Sequence, residues 1–279
     1  MNIEDLLWEA GLRKGLRPQT IKTYIYTITK FLRTIRKEPH QVTKVDIEKF
    51  MQSLIKWNRS GSTMNVYLHS LSFFYSNILG KKLLLNIPLV HTRKRLPEFL
   101  TQEEIGYFFK AINNPKHQLM IILTYGAGLR VSETISLKVK DLNFLSGYGL
   151  VCDGKGGKDR MFIIPEKIKE HLNNLINKNN LQPDDWLFSG YNNQHYSNSS
   201  IRAIVENARK KANITKNITP HSLRHSFATH LLENGYSLFE LNKLLGHSRI
   251  ETTMIYTHLA NPKLCNVKSP FDTLAEKTL

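Results

Sequence analysis

The chain has 279 residues, with 39 Lys and Arg against 23 Asp and Glu, a formal net charge of +16 and an isoelectric point near 9.7. That length allows two domains with separate cores, and a folded protein with its basic excess spread along the chain meets a polyanion, most commonly nucleic acid. Two cysteines in no metal or disulfide spacing (Cys152 and Cys265), an opening "MNIEDLLWEAGLRKG" unlike a signal peptide, and apolar runs such as "LMIIL" at 119–123 too short for a bilayer predict a soluble, cytoplasmic protein without membrane contact.

The first ninety residues carry helical periodicity. Ile21, Tyr24, Ile25, Ile28, Phe31, Leu32 and Ile35 recur at three and four and form one apolar stripe. A second helix opens at Thr43, an N-cap with Asp46 three residues on, and carries Ile47, Phe50, Met51, Leu54 and Ile55. A third follows "SGST" with Val66, Leu71, Phe74, Tyr75 and Ile78, and ends at Gly80. The stripes predict a small helical bundle over 1–87. Lys30, Arg33, Arg36, Lys37, Lys44, Lys49, Lys56 and Arg59 form a solvated outer face, enough for a few phosphate contacts. "PLVHTRKRLPE" at 88–98 has two prolines and a basic cluster and is the expected linker.

"TQEE" at 101–104 is a capping box and starts a second domain, 99–279. It is mostly helical, with a β insert of three short runs, "DLNF" (141–144), "GLVCD" (149–153) and "RMFIIP" (160–165). Helices are predicted near 166–178, 199–212, 220–234, 237–245 and 249–258. Thr219 and Pro220 open one of them, Gly235 and Gly246 close two, and Ser237 with Glu240 and Ser248 with Glu251 cap the last pair. The fold class expected is mainly α with a small β-sheet or hairpin.

Candidate chemistry gathers in the second domain. On the helix from Pro220 the buried arc holds Leu223, Phe227, Ala228, Leu231 and Leu232. Arg224 falls inside that arc, with His221 close by. A guanidinium facing a core needs an anion, either a protein carboxylate or a ligand. His225 at the rim and His230 outside the arc are read as structural or solvated. In "YGAGLRVSETISL" at 125–137, Arg130 follows two glycines that permit close backbone approach, although such a turn also makes an ordinary helix corner. "DGKGGKDR" at 153–160 lacks the Gly-Lys-Ser/Thr ending of a phosphate loop and runs strand to strand. It is a hairpin tip offering Lys155 and Lys158 to DNA, or a plain exposed hairpin. His221 and His225 stand four apart without the glutamate of a zinc-protease helix, and acidic clusters are missing, so no metal site is expected. Tyr256 has what a nucleophile needs, namely cations to activate an electrophile and a base for its proton.

In their order, "GAGLRVSE", "GKGGKDR", "TPHSLRHSFATHLLENG" and "LLGHSRIETTMIYTH" resemble the motifs of the tyrosine recombinase/integrase family, with the Xer-type recombinases of bacteria and archaea nearest. The resemblance extends from the first helices to the tail "SPFDTL" and includes "RKRLPEFLTQEE". The family pattern Arg, Lys, His-x-x-Arg, His or Trp, Tyr lands on Arg130, Lys155, His221, Arg224, His247 and Tyr256 without departure.

The resemblance implies a SAM-like, core-binding helical bundle followed by an α+β catalytic domain, the two clamping duplex DNA as a C. It implies that Tyr256 attacks the scissile phosphodiester, forms a 3′-phosphotyrosyl link and frees a 5′-hydroxyl. Arg130 and Arg224 would fork onto the non-bridging oxygens. Lys155 would protonate the 5′-oxygen, His221 would handle the tyrosine proton and His247 would bond the phosphate. Lys158 and Arg160 are added as DNA contacts. No cofactor, metal or ATP is expected. Partners are double-stranded DNA bearing recombination sites and three further chains, in a homo-tetramer or a hetero-tetramer with a paralogue, serving chromosome-dimer resolution or mobile-element movement. The rivals are a type IB topoisomerase, which relaxes DNA without exchanging partners, and a DNA-binding protein that has lost catalysis.

Overall fold

A computed structural model describes residues 2–81, 90, 96–152, 159–190, 193–246 and 250–258. The chain divides into two compact units, Met1–Arg95 and Leu96–Leu279. Of the expected linker, residues 88, 89 and 91–95 lie outside the described residues.

The first unit is built from α1 (Ile3–Arg13), α2 (Pro18–Ile35), α3 (Lys44–Lys56) and α4 (Gly61–Ser72). The apolar stripes meet inside it, with Ile28, Phe31, Ile47, Phe50 and Leu71 each at 2% exposure or less. Thr43 caps α3 through the expected capping box with Asp46. Lys37 and the Thr43 hydroxyl, both bonded to that carboxyl, hold Asp46 down at about 2. The third stripe departs from a plain α-helix, because α4 passes into a π-helical stretch, Phe73–Ile78. Phe74 and Tyr75, both buried, lie on this wider turn. A 2.7 Å hydroxyl bond from Thr27 to Ser70 ties α2 to α4 inside the core.

The second unit runs α5 (Gln102–Lys110), α6 (Pro115–Gly126), α7 (Val131–Ile135), β1 (Leu142–Asn143), β2 (Tyr148–Val151), β3 (Arg160–Ile163), α8 (Glu166–Lys178), α9 (Asn198–Lys211), α10 (Pro220–Glu233), α11 (Leu238–Leu245) and α12 (Glu251–Met254). The strands pair antiparallel in the order β1-β2-β3, with Gly149 opposite Phe162 and Val151 opposite Arg160. They are shorter than the three predicted runs. One face of the sheet is covered: Gly149, Val151 and Phe162 are buried while Tyr148, Leu150 and Met161 are exposed. The last predicted helix is a single α-turn, α12, followed by a 3₁₀ turn, Ile255–His258. α10 is the central element, with nine of its fourteen residues buried. Its Ser226 hydroxyl accepts the Leu100 N–H at 2.8 Å.

Candidate active site

Three arginines converge on one carboxylate, Glu133, in the first turn of α7. Arg130 occupies the N-cap and the Glu133 side chain folds back on it. Oε2 accepts the Arg130 backbone N–H at 2.8 Å and Oε1 accepts its Nη1 at 2.5 Å. Arg160, arriving on β3, donates Nη2 to Oε2 at 2.6 Å. Arg224, from α10, brings Nη1 to 3.9 Å of the same oxygen. Burial works to raise the Glu133 carboxyl, but Arg160 and Arg130 outweigh it and hold it below the usual carboxylate range.

Glu133 is therefore ionised at neutral pH and aligns the guanidinium groups. It cannot neutralise them, since three positive charges face one negative charge. Burial, reinforced by the like charges of Arg130 and Arg160, pushes Arg224 down to about 9, so it stays charged at neutral pH. A partly buried excess of guanidinium charge is a site for an anion with several oxygens, such as a phosphodiester.

The backbone holds these groups in place. Arg224 donates Nη1 to the Gly128 carbonyl at 2.6 Å and Nη2 to the Leu245 carbonyl at 2.5 Å, clamping the loop before α7 and the end of α11 onto α10. Arg160 donates Nη1 to the neighbouring Leu244 carbonyl at 2.8 Å. Gly128 has φ +58°, and a Cβ there would lie 2.4 Å from the Phe227 ring. Gly246, with φ +60°, ends α11 in the left-handed conformation and lies against the Arg160 side chain. Both glycines meet steric and backbone demands that a side chain would break.

Tyr256, in the 3₁₀ turn after α12, is 3% exposed. Its hydroxyl stands 3.0 Å from Nδ1 of His225, with the ring centroids 5.6 Å apart. Burial raises the phenol, while Arg224 and Arg130 act to lower it. Burial and the charges of His221 and Arg224 bring His225 down to about 4, so its ring is neutral at pH 7. Of the two neutral tautomers, the one with its proton on Nε2 accepts the phenol O–H at Nδ1, and the other donates Nδ1–H to the phenol oxygen. His221 is exposed and lines a cleft of about 490 Å³ together with Arg130, Ser132, Arg202 and Thr219.

The structure thus brings Arg130, Arg224 and Tyr256 together, with His221 at the cleft shared with Arg130. Lys155, Lys158 and His247 lie outside the described residues. Arg160 differs from its expected position as a DNA contact. Its side chain is 9% exposed, with Nη1 on the Leu244 carbonyl and Nη2 on Glu133, so it is bonded within the protein to the carboxylate that also meets Arg130 and Arg224. Of the two histidines read as structural or solvated, His230 is structural, buried with Nδ1 2.8 Å from the Tyr125 hydroxyl, and His225 faces the tyrosine. Glu133 was missed altogether. Its signal was a glutamate at the third helical position after an N-cap arginine. Among the described residues no group of three or more His, Cys, Asp or Glu side chains is arranged to hold a metal ion. No helix among them is long and apolar enough to cross a membrane.

Residues 98–262 match the phage integrase family and residues 7–84 match the phage integrase N-terminal SAM-like domain. The chain is 32% identical to the tyrosine recombinase XerD of Oceanobacillus iheyensis, over 94% of this chain and 95% of that one. It is 34% identical to the tyrosine recombinase XerA of Pyrococcus furiosus, over 88% and 85%. Among solved structures it is similar to a XerA recombinase, with TM-score 0.54 and 28% identity over 93% and 94% of the two chains. A XerH site-specific recombinase bound to a palindromic difH substrate shares the fold, with TM-score 0.72 and 24% identity over 94% and 83%.

The chain belongs to the phage integrase family. It is a tyrosine site-specific recombinase, with an N-terminal SAM-like domain and a C-terminal integrase catalytic domain.

Proposed function

We propose that this chain cuts and rejoins double-stranded DNA through a covalent link between Tyr256 and a 3′-phosphate, with Arg130 and Arg224 holding the scissile phosphodiester. The observation that carries this reading is the buried Tyr256 phenol facing a guanidinium cluster that exceeds its one carboxylate by two charges. As the phenol oxygen attacks, negative charge grows on the non-bridging oxygens. Planar guanidinium groups already aligned by Glu133 and the Gly128 and Leu245 carbonyls stabilise that charge without reorganising. Lys155 is assigned to protonate the departing 5′-oxygen, His247 to bond the phosphate, and His221 to face it across the cleft shared with Arg130. Lys158 is assigned to a DNA backbone contact. The phosphotyrosyl link keeps the energy of the broken bond, so the reverse step needs neither ATP nor a metal.

The basic net charge of +16 supports a DNA partner. Relatives of this fold are seen on DNA, including the XerH recombinase on its difH substrate and a lambda integrase dimer on a core site. Residues 1–87 serve as the core-binding domain, 88–98 as the linker and 99–279 as the catalytic domain and tail, acting in the cytoplasm. Four chains, identical or two of each paralogue, exchange strands between two sites. The test uses two duplexes of different length carrying the same site. Recombinant lengths are expected, whereas relaxation of supercoils without exchanged ends would identify the chain as a type IB topoisomerase instead.

A further inference from the structure

We infer that His225 is the group that holds the Tyr256 phenol in the resting enzyme and accepts its proton during attack. The inference rests on Tyr256 being the nucleophile and reassigns a proton that the family pattern would give to His221. It starts from the 3.0 Å contact between Nδ1 of His225 and the Tyr256 oxygen, which is within hydrogen-bond reach.

The fold supplies that contact by design of two elements. His225 follows Arg224 on α10, so the same turn of helix that carries Arg224 into the anion site aims the imidazole at the 3₁₀ turn bearing Tyr256. The rings also pack, at 48° between planes, which fixes the direction from which the phenol is held.

The charges around His225 suit the role. After burial, His221 and Arg224 on its own helix act against its protonation, and Tyr256 faces it from the C-terminal turn. The free enzyme therefore keeps a neutral ring, and in the tautomer with the proton on Nε2 its Nδ1 offers a lone pair to the phenol 3.0 Å away. A phosphodiester bound at Arg130 and Arg224 brings the negative charge that offsets the opposing cations. His225 thereby gains basicity when substrate is in place.

The step balances. The Tyr256 oxygen forms a bond to phosphorus as the bond from phosphorus to the 5′-oxygen breaks. The phenol proton passes to Nδ1, leaving an imidazolium, and the 5′-oxygen takes a separate proton to leave as a hydroxyl. In the joining step the imidazolium returns its proton to the departing phenolate.

This gives a test by leaving group. A duplex with a 3′-p-nitrophenyl phosphate and a free 5′-hydroxyl strand can be joined without the tyrosine, and p-nitrophenolate departs without a proton. His225→Asn keeps an amide oxygen near the place of Nδ1 but cannot take the proton. Cleavage of a nicked duplex by His225→Asn is expected to fall by about 10²-fold or more, while joining of the activated strand stays within a few-fold of wild type. His225→Gln serves as a second variant, and DNA binding by each is measured to establish that it folds. Cleavage unchanged, or cleavage and activated joining lost equally in a variant that binds DNA normally, would overturn the assignment. The assignment of Tyr256 fails separately, if Tyr256→Phe still forms a covalent adduct.

Discussion

Oε2 of Glu133 accepts a 2.6 Å ion-paired hydrogen bond from Arg160, and neither side chain is more than 9% exposed. The pair joins α7 to β3, and its Glu133 also pairs with Arg130 and lies 3.9 Å from Arg224, the two arginines assigned to the phosphate. Removing the carboxylate leaves buried like charges without their counter-ion. Glu133→Gln is therefore expected to destabilise the protein by about 3–5 kcal/mol, measured by denaturant unfolding at pH 7, and to slow cleavage through misaligned guanidinium groups.

The same pair predicts a pH dependence. Glu133 has a carboxyl lowered in the folded state, so its contribution is complete above the unfolded carboxylate value and is lost as pH falls through the folded one. The stability difference between wild type and Glu133→Gln should shrink as pH falls below the ordinary glutamate range. A difference constant from pH 7 to pH 3 would contradict the ionised, paired state of Glu133.

Arginine geometry matters as much as its charge. Arg224 spans two carbonyls and Arg130 meets a carboxylate, and both are proposed to hold the phosphodiester. Arg130→Lys and Arg224→Lys should each reduce cleavage by about 10²-fold or more, because a point charge cannot fork onto two oxygens. Single-turnover cleavage of a nicked duplex measures this, and a near-wild-type rate in either variant would remove the bidentate role.

The loop before α7 depends on one glycine. Gly128→Ala puts a side chain at φ +58° and a Cβ against the Phe227 ring, 2.4 Å away. The left-handed backbone alone costs about 1–2 kcal/mol, and the ring must also move. Gly106→Ala on α5 meets nothing within 4 Å and should instead stabilise by up to about 1 kcal/mol. Unfolding midpoints that move the same way for both would count against this description of the loop.

Lys155 and Lys158 separate by chemistry. A 5′-bridging phosphorothiolate leaves without a proton. Lys155→Ala should therefore be slow on ordinary DNA and close to wild type on the sulfur-substituted strand. Lys158→Ala should weaken binding of both substrates in a salt-dependent way, as loss of a phosphate contact does. Sulfur rescue of Lys158→Ala alone would exchange the two roles.

Helical periodicity made much of this fold legible. The stripes of α2 and α3 named Ile28, Phe31, Ile47 and Phe50, all of which are buried, and the arc of α10 placed Arg224 inside. Local spacing connects Glu133 to Arg130 alone, three residues earlier; its meeting with Arg160 and Arg224 was hidden because those arrive from β3 and α10. Arg160 was within reach of the sequence. It stands two residues before Phe162, so strand alternation puts both on the covered face. The role of His225 is not legible on a helix wheel, which describes one helix, because its partner arrives from the turn after α12. The π-helical stretch after α4 escaped notice because a single wider turn shifts a periodic pattern by only one residue.

The central claim is that Tyr256 becomes covalently joined to DNA. The direct measurement is to trap the protein on a nicked duplex in the presence of EDTA, digest the adduct and map the peptide that carries the nucleotide. The expected result is a nucleotide on Tyr256 in the wild type, and a Tyr256→Phe variant that binds the duplex but forms no adduct. A nucleotide on another residue, or an adduct at wild-type levels in Tyr256→Phe, would contradict it.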